Sequence, residues 1–323
     1  MHKRDFLSAA VGAGICSAVP ALWAQTTFPE RPITFVVPFA AGGGGDLTAR
    51  LLAKALGEQL RVSIVVENRV GAGGNIGSAY VLRSKPDGYT LLNMSSSYPI
   101  QAAVSKTPYD PIRDMVPIAL VSRNAVVIIV RADSPLRDAK DLQKSARANP
   151  DKLTYGSAGV GSIAHLGMEE LGVQMDAQLK HVPYKGSSQA LGDLMAGSID
   201  MMLTTAIAAM GLIKTGKVRA LGVAGNTRQE TMPEVPTFAE QGLPGYQISE
   251  WKALAAPAGT PPDVVATLNR SINQVLRSEQ VAAKLREEGS EVAGGTPEAM
   301  MALVRADIER WKAVARKSGV SIE

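Results

Sequence analysis

Two periods of apolar spacing alternate along this chain. Short runs rich in β-branched or alternating apolar residues recur at 33–37, 62–66, 90–94, 126–130, 153–155, 178–182, 200–203, 220–223 and 251–256, and these predict strands. Between several of them the apolar positions return every three or four residues, at 47–56, 78–83 and 163–171, which predicts helices. Two further helices announce themselves near the C-terminus. Thr260-Pro261-Pro262-Asp263 reads as a cap, a first-position proline and a first-turn acid, followed by Val264, Val265, Leu268, Ile272, Val275 and Leu276 at helical spacing. Thr296-Pro297-Glu298 repeats the signal ahead of Met301, Val304, Ile308 and Trp311, with an end before Gly319. Strands alternating with helices imply an α/β fold with parallel sheets covered by helices.

Three loops of small residues interrupt this pattern, each after a strand and before a helix. The first is Pro38-Phe39-Ala40-Ala41, four glycines and Asp46; the second is Gly71-Ala72-Gly73-Gly74-Asn75-Ile76-Gly77; the third is Gly156-Ser157-Ala158-Gly159-Val160-Gly161-Ser162. Glycines let backbone N–H groups approach a ligand, and the start of a helix favours an anion. Ligands in such sheets sit beyond the carboxyl ends of strands. Loops this far apart in sequence imply two α/β domains facing each other across a cleft. The first loop does not fit a phosphate loop, because Asp46-Leu47 stands where Lys-Ser/Thr belongs. Nor does it fit a dinucleotide loop, since its glycines are adjacent and not spaced as G-x-G-x-x-G; in the second loop Ile76 takes the place of the third glycine. Asp46 reads as the helix cap.

The 323 residues are 46% hydrophobic and 20% charged, enough for a sizeable core. Residues 1–24 combine basic Lys3 and Arg4, an apolar stretch too short to span a membrane and a small residue, Ala24, before Gln25, which predicts a secretory signal peptide. Lys3 replaces the first arginine of a twin-arginine signal, so the Sec route is expected before the Tat route. Cys16 is the one cysteine and falls in that segment, so no disulfide and no thiol chemistry are expected beyond it. The net charge of +4, without a basic run or interleaved aromatics, argues against nucleic acid.

Acid–base chemistry is sparse. Beyond residue 24 the histidines are His165 and His181, no metal-binding spacing occurs, and neither a metal nor a cofactor is expected. Ser157 with His165 is the one pair that suggests a hydrolase, but Tyr155 stands in place of the first glycine of a nucleophile elbow. A binding protein needs only backbone donors, hydroxyls and a cation around a carboxylate. Ser95, Ser96, Ser97, Ser157, Ser162, Thr204 and Thr205 lie at expected strand ends or loops, and Arg123 precedes the 126–130 strand, where it could pair with a carboxylate.

The segments Val36-Val37-Pro38-Phe39-Ala40-Ala41-Gly42-Gly43-Gly44-Gly45-Asp46, Val66-Glu67-Asn68-Arg69, Pro86-Asp87-Gly88-Tyr89-Thr90-Leu91, Tyr109-Asp110-Pro111, His181-Val182-Pro183-Tyr184-Lys185-Gly186 and Ala256-Pro257-Ala258-Gly259-Thr260-Pro261, together with the second loop and Gly242-Leu243-Pro244-Gly245-Tyr246, resemble in family order the Bug-type extracytoplasmic solute receptors of the tripartite tricarboxylate transporter system. The resemblance runs from about Phe28 to the C-terminus. It implies a periplasmic, Venus-flytrap binding protein with domain I at 25–122 plus 253–323 and domain II at 123–252, crossing near Arg123 and Trp251. It also implies a small carboxylate ligand, a monomer that docks to inner-membrane permease subunits, and no catalysis; some relatives feed sensor kinases instead. The loops it points to and the residues singled out above give the candidate ligand-binding set Phe39, Ala40, Ala41, Gly43, Gly44, Asp46, Asn75, Ser95, Ser97, Arg123, Ser157, Gly161, Ser162, His165, Tyr184, Thr204 and Thr205. Amino-acid-binding members often carry an acid just after the 201–203 strand; Thr204 and Thr205 there imply a ligand without an amino group, such as a dicarboxylate or an aromatic acid. Lys252 and Ala253 replace the usual aromatic residue and glycine, and Arg123 a usual small residue, changes expected to bear on the far side of the cleft.

Overall fold

The computed structural model describes residues 28–42, 44–287 and 289–320. The expected signal peptide, 1–24, and the candidate Gly43 lie outside the described residues. In chain order the elements are β1 (Ile33–Val37), α1 (Gly44–Leu60), β2 (Ile64–Asn68), a single 3-10 turn (Ala72–Gly74), α2 (Asn75–Leu82), β3 (Thr90–Ser95), α3 (Ser97–Val104), β4 (Met115–Arg131), α4 (Ala139–Ala148), β5 (Thr154–Ser157), α5 (Ile163–Met175), β6 (Lys180–Pro183), α6 (Ser187–Ala196), β7 (Met201–Thr205), α7 (Ala206–Lys214), β8 (Val218–Val223), β9 (Ser249–Pro257), α8 (Pro262–Arg277), α9 (Glu279–Glu287), β10 (Ser290–Val292) and α10 (Pro297–Ser318).

The strands order as β2-β1-β3-β9-β4-β7-β5-β6, with β8 and β10 also on β4. At either end the pairing is parallel, as expected: β2 with β1 with β3, and β6 with β5 with β7. The middle departs from that expectation, because β4, β8, β9 and β10 pair antiparallel. The reason lies in β4, which is 17 residues long; the expected strand 126–130 is only its second half. Residues 115–125 pair with β9 in one sheet, and residues 126–131 pair with β7 and β8 in the other. Pro117 masks the first half in sequence, since proline is rare inside a ladder, and the register slips there and again before Ser122, as bulges allow. One strand therefore belongs to both sheets, and β9 returns beside it.

Each sheet half is covered on both faces. In the first, Ile33, Phe35, Leu91 and Leu254 pack under α1, α8 and α9, while Val36, Leu92, Met94 and Trp251 pack under α2, α3 and the first half of α10. In the second, Val126, Ile128 and Val130 face α4 and α5, and Val127 and Ile129 face α6 and α7. The period-2 alternation along β4 sends successive side chains to opposite cores. Of the two C-terminal helix starts, Thr296 accepts a bond from the Ala299 N–H at 3.2 Å as a cap should. Thr260 does not cap α8: its hydroxyl donates to the Pro257 carbonyl at 2.8 Å, and the helix starts on Pro262.

α10 is shared between the halves. Met300, Val304 and Ile308 pack beside Tyr98 and Trp251, whereas Trp311, Val314 and Ala315 pack with Tyr155, Leu166 and Tyr246. Its middle turn is pinned by the Trp251 Nε1–H donating to Asp307 at 2.8 Å and by Arg310 pairing with Glu170 of α5 at 2.8 Å.

Candidate functional site

The first loop leaves β1 at Val37 and enters α1 at Gly44. Asp46, expected as the cap, is the third residue of α1 and caps from inside. Its carboxylate accepts the Gly42 N–H at 2.9 Å, two Arg50 N–H groups at 2.9 and 3.0 Å, and the Asn68 amide at 2.9 Å. This reach back to an N–H ahead of the helix is the backward arm of a capping box. Asn68 stands opposite Val37 in the β1–β2 register and also donates to the Phe39 carbonyl at 3.0 Å. The Arg50 hydrogen bonds hold the Asp46 carboxyl down at about 2. With both oxygens occupied, Asp46 shapes the loop. Phe39 is half-buried and packs toward Gly74, leaving Ala40, Ala41 and Gly44 as the exposed rim.

Beneath the start of α1 lies a polar row across three strands. Ser95 of β3 and Ser122 of β4 are both in register with Lys252 of β9. Lys252 is 4% exposed, and among the described residues it has neither a hydrogen-bond nor an ion-pair partner. Its Nζ lies 3.4 Å from the point where a Cβ on Gly44 would sit. Asn93, next on the same face, donates to the Gly45 carbonyl at 2.9 Å and leaves its Oδ1 buried and unpartnered, as is the Ser122 hydroxyl. Lys252 therefore sits against the first loop and not on the far side expected for it. Arg123, expected to meet the ligand, is in register with Trp251 and projects to the opposite face of the sheet. There it lines a cavity of about 300 Å³ with Trp251, Glu291, Asp307, Arg310 and Trp311.

The third loop joins β5 to α5. Ser157 is fully buried; its Oγ accepts the Gly159 N–H at 3.0 Å and lies 2.6 Å from His181 Nε2. His165 does not touch Ser157. Its Nδ1 accepts the Gly161 N–H at 3.1 Å, and its ring stacks on His181 with centroids 3.9 Å apart. His181 also stacks on Tyr155, whose hydroxyl donates to Glu169. Burial lowers both histidines, His165 to about 3 and His181 to about 4, so both rings are neutral near pH 7. Ser157 stands within hydrogen-bond reach of His181 but is sealed from solvent, so its hydroxyl is spent on closing the loop. Ser162 caps α5 by accepting the His165 N–H at 3.2 Å. The Tyr184 hydroxyl donates to Asp193 at 2.7 Å and is raised to about 12, mainly by desolvation. Its backbone N–H closes the loop on the Ser157 carbonyl at 3.1 Å.

Gln101 of α3 ties the second and third loops together. Its Nε2 donates to the Gly161 carbonyl at 3.4 Å, and its Oε1 accepts from Asn75 at 3.5 Å, while Asn75 accepts the Tyr109 hydroxyl at 2.8 Å. A Cβ on Gly73, whose φ is +63°, would fall 2.2 Å from Gln101 Nε2, so this close approach requires glycine. Asn75 thus acts within the protein. By contrast, Ser95, Ser97, Thr204 and Thr205 are half-buried at strand ends and helix starts, and none of their hydroxyls has a partner within the described residues. Sequence reasoning missed Gln101, Asn93 and Lys252 as site residues and named the wrong histidine beside Ser157. His181 had a signal in its own motif with Tyr184; Gln101 had none.

Against known proteins, the profile described as tripartite tricarboxylate transporter family receptor matches residues 48–320. A protein of Pseudomonas sp. (strain P51), named UPF0065 protein in tcbD-tcbE intergenic region, is 42% identical over 287 residues, covering 88% of this chain and 85% of its own. The solved structure of periplasmic binding protein BugD is 36% identical with a TM-score of 0.80, and the match covers 92% of this chain and 100% of that one. That of R. palustris Rpa4515 with adipate is 35% identical with a TM-score of 0.82, covering 91% and 99%. These neighbours share the two-domain periplasmic binding protein fold, and no described helix here is long and apolar enough to cross a membrane. By sequence over most of its length and by fold, the chain belongs to the receptor family of the tripartite tricarboxylate transporters.

Proposed function

We propose that the protein is a periplasmic receptor, not an enzyme, that closes two lobes on a small organic acid and hands it to the permease subunits of a tripartite tricarboxylate transporter. One observation carries this reading: four hydroxyls without a partner among the described residues, Ser95 and Ser97 in one sheet half and Thr204 and Thr205 in the other, stand at strand ends and a helix start. The row of Ser95 and Lys252 reaches β4 at Ser122, and Thr205 meets β4 at Val126. Four residues of strand span roughly 13 Å. That distance suits a small acid held at both ends. Loops 39–46 and 156–162 would hold a carboxylate through N–H groups and hydroxyls, with water at the far end. The acid of R. palustris Rpa4515, adipate, is a dicarboxylate of this size class.

The lobes we propose are 25–122 with 253–323 and 123–252. Support comes from β4, which exchanges sheet partners between Ala125 and Val126, and from β9, which enters the first sheet at Ser249. A signal peptide ending at Ala24, export to the periplasm and a monomeric state complete the reading. Absence of an acidic side chain at Thr204 and Thr205 favours a ligand without an ammonium group.

The test is a thermal-shift screen against mono-, di- and tricarboxylates, with aspartate and glutamate beside them. A ligand at 100 times its dissociation constant stabilises a protein by about 2.7 kcal/mol, a shift of a few degrees. Stabilisation by sugars or cations but by no carboxylate overturns the carboxylate class. Tighter binding of aspartate or glutamate than of every organic acid overturns the ligand without an ammonium group.

A further inference from the structure

We propose that Lys252 is a ligand-binding cation, and that it makes the first-lobe subsite selective for a fully ionised acid group. The proposal rests on the carboxylate reading above and names the charge that reading leaves unassigned. Lysines are mostly exposed or paired, and one whose stem is buried and whose ammonium has no protein partner is rarely kept without use. Lys252 is 4% exposed, yet among the described residues no acid pairs with it. Asp46, two residues beyond Gly44, has both oxygens filled by Gly42, Arg50 and Asn68.

The surroundings make the ammonium more conspicuous. Its Nζ lies 3.4 Å from the Cβ position of Gly44, the first residue of α1. The first N–H groups of a helix lack intrahelical partners, and the helix dipole is positive at that end. A cation placed there adds like charge to like; Asp46 in the first turn is already taken up by Gly42, Arg50 and Asn68, and no described acid pairs with Lys252. An anion between them satisfies both. Gly44 has no Cβ to fill that space, so the space is open to a ligand oxygen. Asn93 Oδ1 and the Ser122 hydroxyl, each buried and unpartnered, extend the polar floor on the same face of the sheet. The Asn93 Oδ1, an acceptor, suits a ligand hydroxyl or an ordered water, and Ser122 can donate. A lysine is a point charge on a flexible stem, so it imposes charge more than shape. The subsite therefore accepts acids of different carbon skeleton and rejects esters and amides of the same outline.

The experiment compares the wild-type chain with Lys252→Met by calorimetric titration of succinate, malate, adipate and citrate, and by thermal denaturation without ligand. Lys252→Met is expected to bind the preferred acid roughly tenfold to a hundredfold more weakly, the range for a charge-assisted hydrogen bond. In the absence of ligand the same variant is expected to melt no lower than the wild type, because the Lys252 ammonium has no partner among the described residues to lose. A purely structural lysine would lower both. Lys252→Arg should keep affinity within a few-fold, and the wild type, but not Lys252→Met, should discriminate the acid from its monomethyl ester. Wild-type affinity in Lys252→Met overturns the proposal while leaving the receptor reading intact; so does a ligand-free melting temperature that falls along with affinity. A wild type that binds none of the four acids overturns both. Should Lys252→Met fail to fold, Lys252→Gln removes the charge while keeping a polar end and gives the same readouts.

Discussion

Asp46 shows how a residue read correctly in kind can be misread in place. An acid before a helical pattern predicts a cap, yet α1 starts two residues earlier and the carboxylate works backward onto Gly42. Its pKa is lowered in the folded state, so the stability it contributes is complete above the unfolded value near 4 and is lost as pH falls through about 2. Asp46→Asn should cost about 1–2 kcal/mol at pH 7, since Arg50 is half exposed and screened. Denaturant titrations of both proteins should show that gap closing between pH 4 and 2. A gap that persists at pH 2 would show that the carboxylate charge is not what holds the loop. The glycine and serine loops were legible because small residues between a strand and a helix have few other uses. Lys252 was legible only as a departure from the family pattern. Which face of a strand a side chain takes depends on register, and β9 is buried on both faces, so its pattern carries no alternation to read.

Among the elements, the strands at the sheet ends and the C-terminal helices α8 and α10 followed from periodicity, though only α10 has the expected cap. β4 did not, because Pro117 breaks the run that would have joined 115–125 to 126–130. α10 was visible as a helix but not as a shared one; period alone does not say that its two ends face different cores. Its anchor is the Arg310–Glu170 pair, in which Glu170 is 8% exposed. Burial raises the Glu170 carboxyl, and Arg310 pulls it back. Arg310→Met removes that pull and should destabilise the protein by about 2 kcal/mol at pH 7, less than for a fully buried pair. Without Arg310 the folded-state pKa of Glu170 rises further above its unfolded value. The folded variant then takes up a proton that the unfolded chain does not, so its deficit should shrink as pH is lowered from 7 to 5. Chemical denaturation at the two values checks this, and a deficit that grows with acid would contradict it.

For the whole molecule, the question is what registers closure of one lobe on the other. Gln101 lies in the first sheet's helical layer, and its amide reaches the Gly161 carbonyl of the third loop. Gln101→Ala removes that link without opening either core. Affinity for the preferred acid should fall by roughly threefold to tenfold, the worth of a neutral hydrogen bond. Small-angle scattering should show a ligand-saturated radius of gyration above that of the wild type. Equal affinity and equal compaction would mean that closure does not pass through this contact. Two facing lobes could be inferred from three distant loops, but the contacts that link them could not, because they join residues 60 positions apart without any local pattern.

The return of β9 beside β3 and β4 also sets a timetable. A chain emerging from its N-terminus makes β1, β2 and β3 long before residues 249–257 exist, so β3 waits with an open edge. Residues 126–248 lie between and contain β5, β6, β7 and β8, a contiguous stretch that can pair early. The strands of that stretch can pair first, and both halves are sealed last, when β9 slots in and α10, which lends Trp311, Val314 and Ala315 to the second core, is laid over the join. Unpaired edges and pairings between distant segments make folding slow and aggregation-prone. For this chain the vulnerable interval is the one before Trp251 arrives, and any factor that shields the β3 edge during that interval would govern yield without changing the finished protein.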